Sequence, residues 1–93
     1  MSAAGVKRHK DRVFRLGCCI CRLLGHEPTP PHLHHVREGQ GMSQRASDML
    51  VIPLCPEHHQ GATGIHGLGT REFERRYKTT ELDLLAETLE LLA

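Results

Sequence analysis

Three observations predict a small α+β domain in which a β-hairpin and a short helix are closed by a metal staple, with one helix before them and further helices after. The first is size against composition. The chain has 93 residues, no Trp, one Tyr and two Phe. A single domain of this length buries a modest share of its surface, and few aromatics leave its core thin, so a staple is expected. The second is spacing: Cys18 and Cys21 form a C-x-x-C pair, and Cys55 and His58 repeat that interval as C-x-x-H. The third is the order of patterns, in which a basic stretch, two short apolar runs of strand length and several helical runs follow one another.

The elements follow in chain order. The first residues read as a flexible tail. Val6 to Leu16 reads as a short helix, with Val6, Val13 and Leu16 apolar and Gly17 as its C-terminal cap. Its basic side chains suit either solvent or a phosphate backbone. Cys18-Cys19-Ile20-Cys21 follows, with Cys19 as a spare, buried thiol. Arg22 to Pro31 is a loop, broken by Gly25, Pro28, Pro30 and Pro31, and His26 and His32 in or beside it read as surface histidines. His32 to Val36 and Asp48 to Leu54 read as two strands of a hairpin joined by a glycine-bearing connection, with Pro53 at the end or free edge of the second. Pro56 opens a helix that Gly61 and Gly64 end early. Ile65 to Gly69 reads as a loop carrying His66. Thr70 to about Lys78 is a helix with Phe73 and Tyr77 on one face. Thr80-Glu81-Leu82-Asp83 resembles a capping box. The last helix follows, with Leu82, Leu85, Leu89 and Leu92 as its expected core stripe.

Charge and composition narrow the function classes. Net charge is +1, which is not the basicity of a passive DNA coat. The charge is segregated: Lys7, Arg8, Lys10, Arg12 and Arg15 lie near the start, and Glu81, Asp83, Glu87 and Glu90 near the end. The N-terminus lacks the apolar segment of a signal peptide, and no run approaches the roughly 20 apolar residues of a membrane span. A cytoplasmic protein with no membrane partner is expected, and there closely spaced cysteines read as metal ligands sooner than as disulfides.

The two C-x-x-C/H pairs make a tetrahedral Cys3His set for zinc: Cys18, Cys21, Cys55 and His58. Four protein ligands leave no open position, so this centre is structural. Neighbouring side chains of a helix point about 100° apart, which frees His59 for a second site. His34-His35 on a strand adds to it. Histidines beyond the needs of the zinc suit metal-assisted phosphodiester cleavage, where one stays free as general base and others hold a divalent ion. Strand neighbours face opposite ways, so His34 and His35 share one site only if the strand bends. Two competing readings are a non-catalytic zinc-binding, nucleic-acid-binding module and a C-x-x-C redox protein. The second requires that Cys55 and His58 lie away from Cys18 and Cys21.

His34-His35-Val36, the glycine-bearing loop and Leu50-Val51-Ile52-Pro53-Leu54-Cys55 ahead of His58-His59 resemble the HNH, or ββα-metal (His-Me finger), nuclease family. The flanking zinc ligands give that core a treble-clef-like character. C-x-x-C at 18–21, H-H-V-R at 34–37, V-I-P-L-C-P-E-H-H-Q-G at 51–61, I-H-G at 65–67 and T-E-x-D-L-L-A at 80–86 resemble, more closely, the phage recombination-enhancement nucleases that act with a RecA-type recombinase. The resemblance implies residues 7–93 as one nuclease domain behind a tail of residues 1–6. It implies His35 as general base, and His34, His59 and His66 as ligands of a catalytic divalent metal, Mg2+ first, with Mn2+ or Zn2+ as alternatives. DNA would be the substrate, cut to a 5′-phosphate and a 3′-hydroxyl in a bacterial or phage-infected cell. Arg8, Arg12, Arg37 and Arg45 are the candidate DNA contacts. A RecA-type filament is the implied protein partner, and no small-molecule cofactor is called for. The middle Asn of the family pattern is missing, and Asp48 or Leu50 stands in its neighbourhood.

Overall fold

The computed structural model describes residues 2–37 and 47–93. Arg45 and most of the glycine-bearing connection between the expected strands lie outside them. Helix α1, Ala3–Leu16, starts earlier than the Val6 expected from sequence, because the Ser2 hydroxyl accepts from the Gly5 N–H at 3.1 Å. That cap satisfies one of the orphan donors of a first turn rich in alanine, so most of the expected tail of residues 1–6 is helical. Gly17 ends α1 at φ 75°, and a Cβ there would sit 2.7 Å from the Pro28 Cβ. Both the conformation and the close approach require glycine.

Helix α2, Cys19–Leu23, is a single turn capped by Cys18. Strands β1, His32–His35, and β2, Val51–Leu54, pair antiparallel with His34 opposite Ile52 and His35 opposite Val51. All of β2 is buried, because α1, α2, α6 and α3 (Pro56–Gln60) pack around it. A continuous apolar run, rather than an alternating one, is what that position selects. Pro53 lies within β2, opposite Leu33. A two-stranded sheet leaves each strand one free edge, where a residue without an N–H costs no ladder bond.

Ile65–Leu68 forms α4, a one-turn helix where a glycine-rich loop was expected. Its glycines serve a close crossing: a Cβ on Gly67 would run into the Gly61 carbonyl, and one on Gly64 would lie 2.5 Å from the Glu57 carbonyl oxygen. Helix α5 is Thr70–Tyr77, closed by Lys78 in the left-handed region. Phe73 is fully buried, and its ring meets the Tyr77 ring at 5.0 Å.

Helix α6, Glu81–Leu92, begins at Thr80, whose hydroxyl accepts from Asp83 N–H at 3.0 Å. The face it buries is not the expected one. Leu82 and Leu89 are 48% and 40% exposed, while Glu81, Leu84, Leu85 and Thr88 are buried. These follow the i, i+3, i+4, i+7 spacing of one helix face. Six leucines in this helix offered an apolar residue on almost every side, so periodicity could not choose among them. A polar contact made by Glu81, described below, accompanies the choice. The core joins Ile20, Val36, Ile52, Leu54, Ile65, Phe73, Leu84 and Leu85 to the cysteines at 18, 19, 21 and 55. Among the described residues no helix is long and apolar enough to cross a membrane.

Candidate metal centres

Cys18, Cys21, Cys55 and His58 converge at the centre of that core, all buried. Two helix starts position them. Cys18 caps α2, its sulfur accepting from the Cys21 N–H at 3.4 Å. Cys55 caps α3, where Pro56 needs no hydrogen-bond acceptor and His59 N–H bonds the Cys55 carbonyl at 2.8 Å. The Nδ1 of His58 lies 3.6, 3.5 and 3.2 Å from the sulfurs of Cys18, Cys21 and Cys55, and the sulfurs of Cys21 and Cys55 are 3.8 Å apart. Metal–sulfur bonds of about 2.3 Å in a tetrahedron give sulfur–sulfur edges of about 3.8 Å, so the donor set fits zinc.

The chemistry of the donors agrees. Burial pushes the Cys18 thiol up to about 12, and burial holds His58 below its ordinary range, in its neutral form. A cation draws protons from such thiols and takes a neutral imidazole as it stands. The Thr29 hydroxyl donates to the Cys21 sulfur at 3.2 Å. Cys19 is the spare thiol, buried outside the cluster, with its own pKa raised to about 12 by burial. Since Cys55 and His58 share this site, the requirement of the redox reading is not met.

A second group lies one residue further along α3. His34, His59 and His66 each bring a ring nitrogen to within 4.8 Å of the others. Their exposure is graded: His34 is buried, His59 half-buried and His66 exposed. The His59 ring meets those of His34 and His66 edge-on at 5.3 and 4.8 Å. The glycine crossing of α3 and α4 brings His66 this close. Burial first, and then His34, His66 and His32, push His59 down to about 4. Its ring is therefore neutral at ordinary pH.

His32, read from sequence as a surface histidine, is placed by strand alternation on the same face of β1 as His34. Its Nδ1 lies 2.9 Å from the Nδ1 of His59, which leaves the Nε2 of His59 for an ion. The Nε2 of His34 meets the Glu81 carboxylate at 2.8 Å. Nothing in the sequence reading singled out Glu81. The Thr80–Asp83 cap placed it at the start of a helix, and only the tertiary contact shows that it turns inward.

His35 is not in this cluster. Its Nε2 bonds the Asp48 carboxylate at 2.8 Å, and Val36 N–H reaches the Leu50 carbonyl beside it. Asp48, in the neighbourhood of the missing Asn, thus holds the ring of His35. Arg8 and Arg12 line an open groove on α1 with Gly5, His9 and Met49, and His9 Nε2 lies 3.0 Å from the Met49 carbonyl. Arg12 also donates to the Leu92 carbonyl, and Arg37 is exposed.

Fold and sites together define a small α+β domain with two candidate metal centres, a closed thiolate-rich one and an open one made of imidazoles. A family model described as recombination enhancement, RecA-dependent nuclease matches residues 2–93, and the chain belongs to that family. The name places its members among nucleases that act in recombination. No curated protein and no solved structure matches the chain.

Proposed function

We propose that the protein is a metal-dependent DNA endonuclease of HNH type, with β1, β2 and α3 as its treble-clef-like ββα core. The observation that carries this reading is the second cluster: His34, His59 and His66 gathered beside a complete Cys3His set. A binding module needs only the first set.

His34, His59 and His66 would hold the divalent ion, which supplies charge for the phosphate and the leaving oxygen. Three imidazoles suit a transition ion such as Mn2+ or Zn2+ better than Mg2+, which prefers oxygen ligands and retains its waters. His35 is the general base. With Nε2–H donated to Asp48, its Nδ1 takes a proton from the attacking water, and the carboxylate stabilises the imidazolium that results. The water oxygen bonds to phosphorus and the bond to the 3′-oxygen breaks. The departing oxygen takes a proton from solvent, leaving a 3′-hydroxyl and a 5′-phosphate.

Neighbouring strand residues face opposite ways, so a phosphate served by both His35 and the cluster would have to reach around the free edge of β1. Among the described residues that edge carries no further strand. The groove of Arg8 and Arg12 approaches it through Met49, next to Asp48, and gives the DNA backbone a cationic path. Arg37 adds charge at the end of β1, and the same role is proposed for Arg45. The family name supports a RecA-type filament as the partner that directs the cut.

Cleavage of plasmid and single-stranded DNA with Mn2+ or Mg2+, with and without a RecA-type filament, tests the reading on the parent and on His35→Ala. The expected loss is about 10²–10⁴-fold with zinc retained, the range for removing a general base. Undiminished cutting by His35→Ala sinks the base assignment. No cutting under any condition, with DNA still bound, favours the binding module.

A further inference from the structure

We infer that Glu81 is a positioning residue of the second centre: its carboxylate fixes the tautomer and orientation of His34, so that α6 completes the imidazole cluster. The inference rests on the reading of that cluster as a metal site.

The pair is buried on both sides, with each side chain 10% exposed and Nε2 to Oε2 at 2.8 Å. A carboxylate out of water requires strong partners, and this one faces an imidazole N–H. With Nε2 carrying the proton toward Glu81, Nδ1 of His34 keeps its lone pair for an ion. A metal-bound histidine is typically held this way, by a carboxylate on its other nitrogen.

The packing of α6 points the same way. A helix stabilised by burial alone would turn its leucines inward. Here Leu82, Leu89 and Leu91 are 40–51% exposed, while Glu81 and Thr88 are buried. The Thr88 hydroxyl satisfies itself on the Leu84 carbonyl at 2.8 Å. Glu81 alone of the two reaches another element. Its backbone is fixed as well: its N–H bonds the Glu74 carboxylate at 2.8 Å, and Thr80 caps the same turn. Glu81 is thus held at both ends, and His34 is held by it.

The test compares the parent with Glu81→Ala, Glu81→Gln and Thr88→Val, each loaded with one zinc. Co2+ titration reads the affinity of the second site. Long-range 15N–1H spectra read the His34 tautomer without any second ion. Glu81→Ala is expected to weaken Co2+ binding about 10–100-fold, the usual effect of losing a partner behind a ligand, and to lose the fixed Nε2–H tautomer. Glu81→Gln accepts the same hydrogen bond, so it keeps the tautomer and weakens binding less. It carries the test if the alanine variant does not fold. Thr88→Val lowers Tm and leaves both readouts unchanged. Parent-like Co2+ affinity in Glu81→Ala, or an equal loss in Thr88→Val, overturns the inference while the metal reading stands. A parent that takes up no second ion overturns the metal reading, and this inference with it.

Discussion

His58 and His59 are neighbours on one short helix, and they belong to two centres of opposite character. The His58 centre is buried on all sides, has three sulfurs and offers four donors in a tetrahedron. The His59 centre has only imidazoles, and its three members run from buried His34 to exposed His66. The first is closed and lies within the hydrophobic core, so an ion held there would act on the fold. The second opens to solvent through His66. The 100° step between successive helical residues is all that separates the closed group from the open one. A motif of adjacent histidines therefore carries no single meaning: what each ring faces decides its use.

The contrast can be broken most severely at Cys55. Cys55→Ser removes a thiolate from a centre whose ion, on the zinc reading, contributes folding energy outright. The expected outcome is loss of bound zinc and of the cooperative thermal transition, followed by metal analysis and circular dichroism. A zinc-free variant that still melts cooperatively would show that the core does not need its staple.

His66→Ala addresses the other side. His66 is exposed at its helix, so stability should change by less than about 0.5 kcal/mol. Affinity for the second ion should fall on the order of tenfold or more, since a direct ligand matters at least as much as its supports. Zinc content stays at one per chain. Equal loss of both ions would mean that the two centres are not separable.

A further expected effect is in pH. The folded state holds His59 near 4, against an ordinary 6.5. Between these values the folded chain binds fewer protons than the unfolded one, so stability rises with pH across that window and this contribution is flat above it. Urea midpoints of zinc-loaded parent and His59→Asn, measured from pH 4 to 7, isolate the term. The parent should have the steeper slope, and identical slopes would remove His59 as its source.

Most of the first centre could be read from the chain alone, because its ligands come as two close pairs and each pair fits a single turn. The second could not be derived so directly. His59 and the His34–His35 pair were marked by helix and strand geometry, but their roles as ligands, and His66 altogether, came from resemblance. The meeting of His34, His59 and His66 depends on how α3 and α4 cross at Gly61, Gly64 and Gly67. Those glycines were read as loop formers, whereas they permit a tight helix contact. His32 gave no signal because its partner His59 lies on another element. Glu81 was hidden among leucines: hydrophobic periodicity indicates that a helix has a buried face, and in a leucine-rich helix it does not say which. The separation of His35 from His34 was legible as strand alternation, while its pairing with Asp48 required the tertiary structure.

The long sequence separation of the ligands fixes an order of maturation during synthesis. Chains emerge from the N-terminus, and a domain folds as a unit. Cys18 and Cys21 leave the ribosome early and wait for a partner 34 residues beyond Cys21. The Cys3His set is complete only once His58 has followed, with His59 next to it on the same helix. The carboxylate behind His34 comes 47 residues after it. Glu81 is thus the last of these groups in the chain, and the ring of His34 gains its carboxylate only when α6 docks.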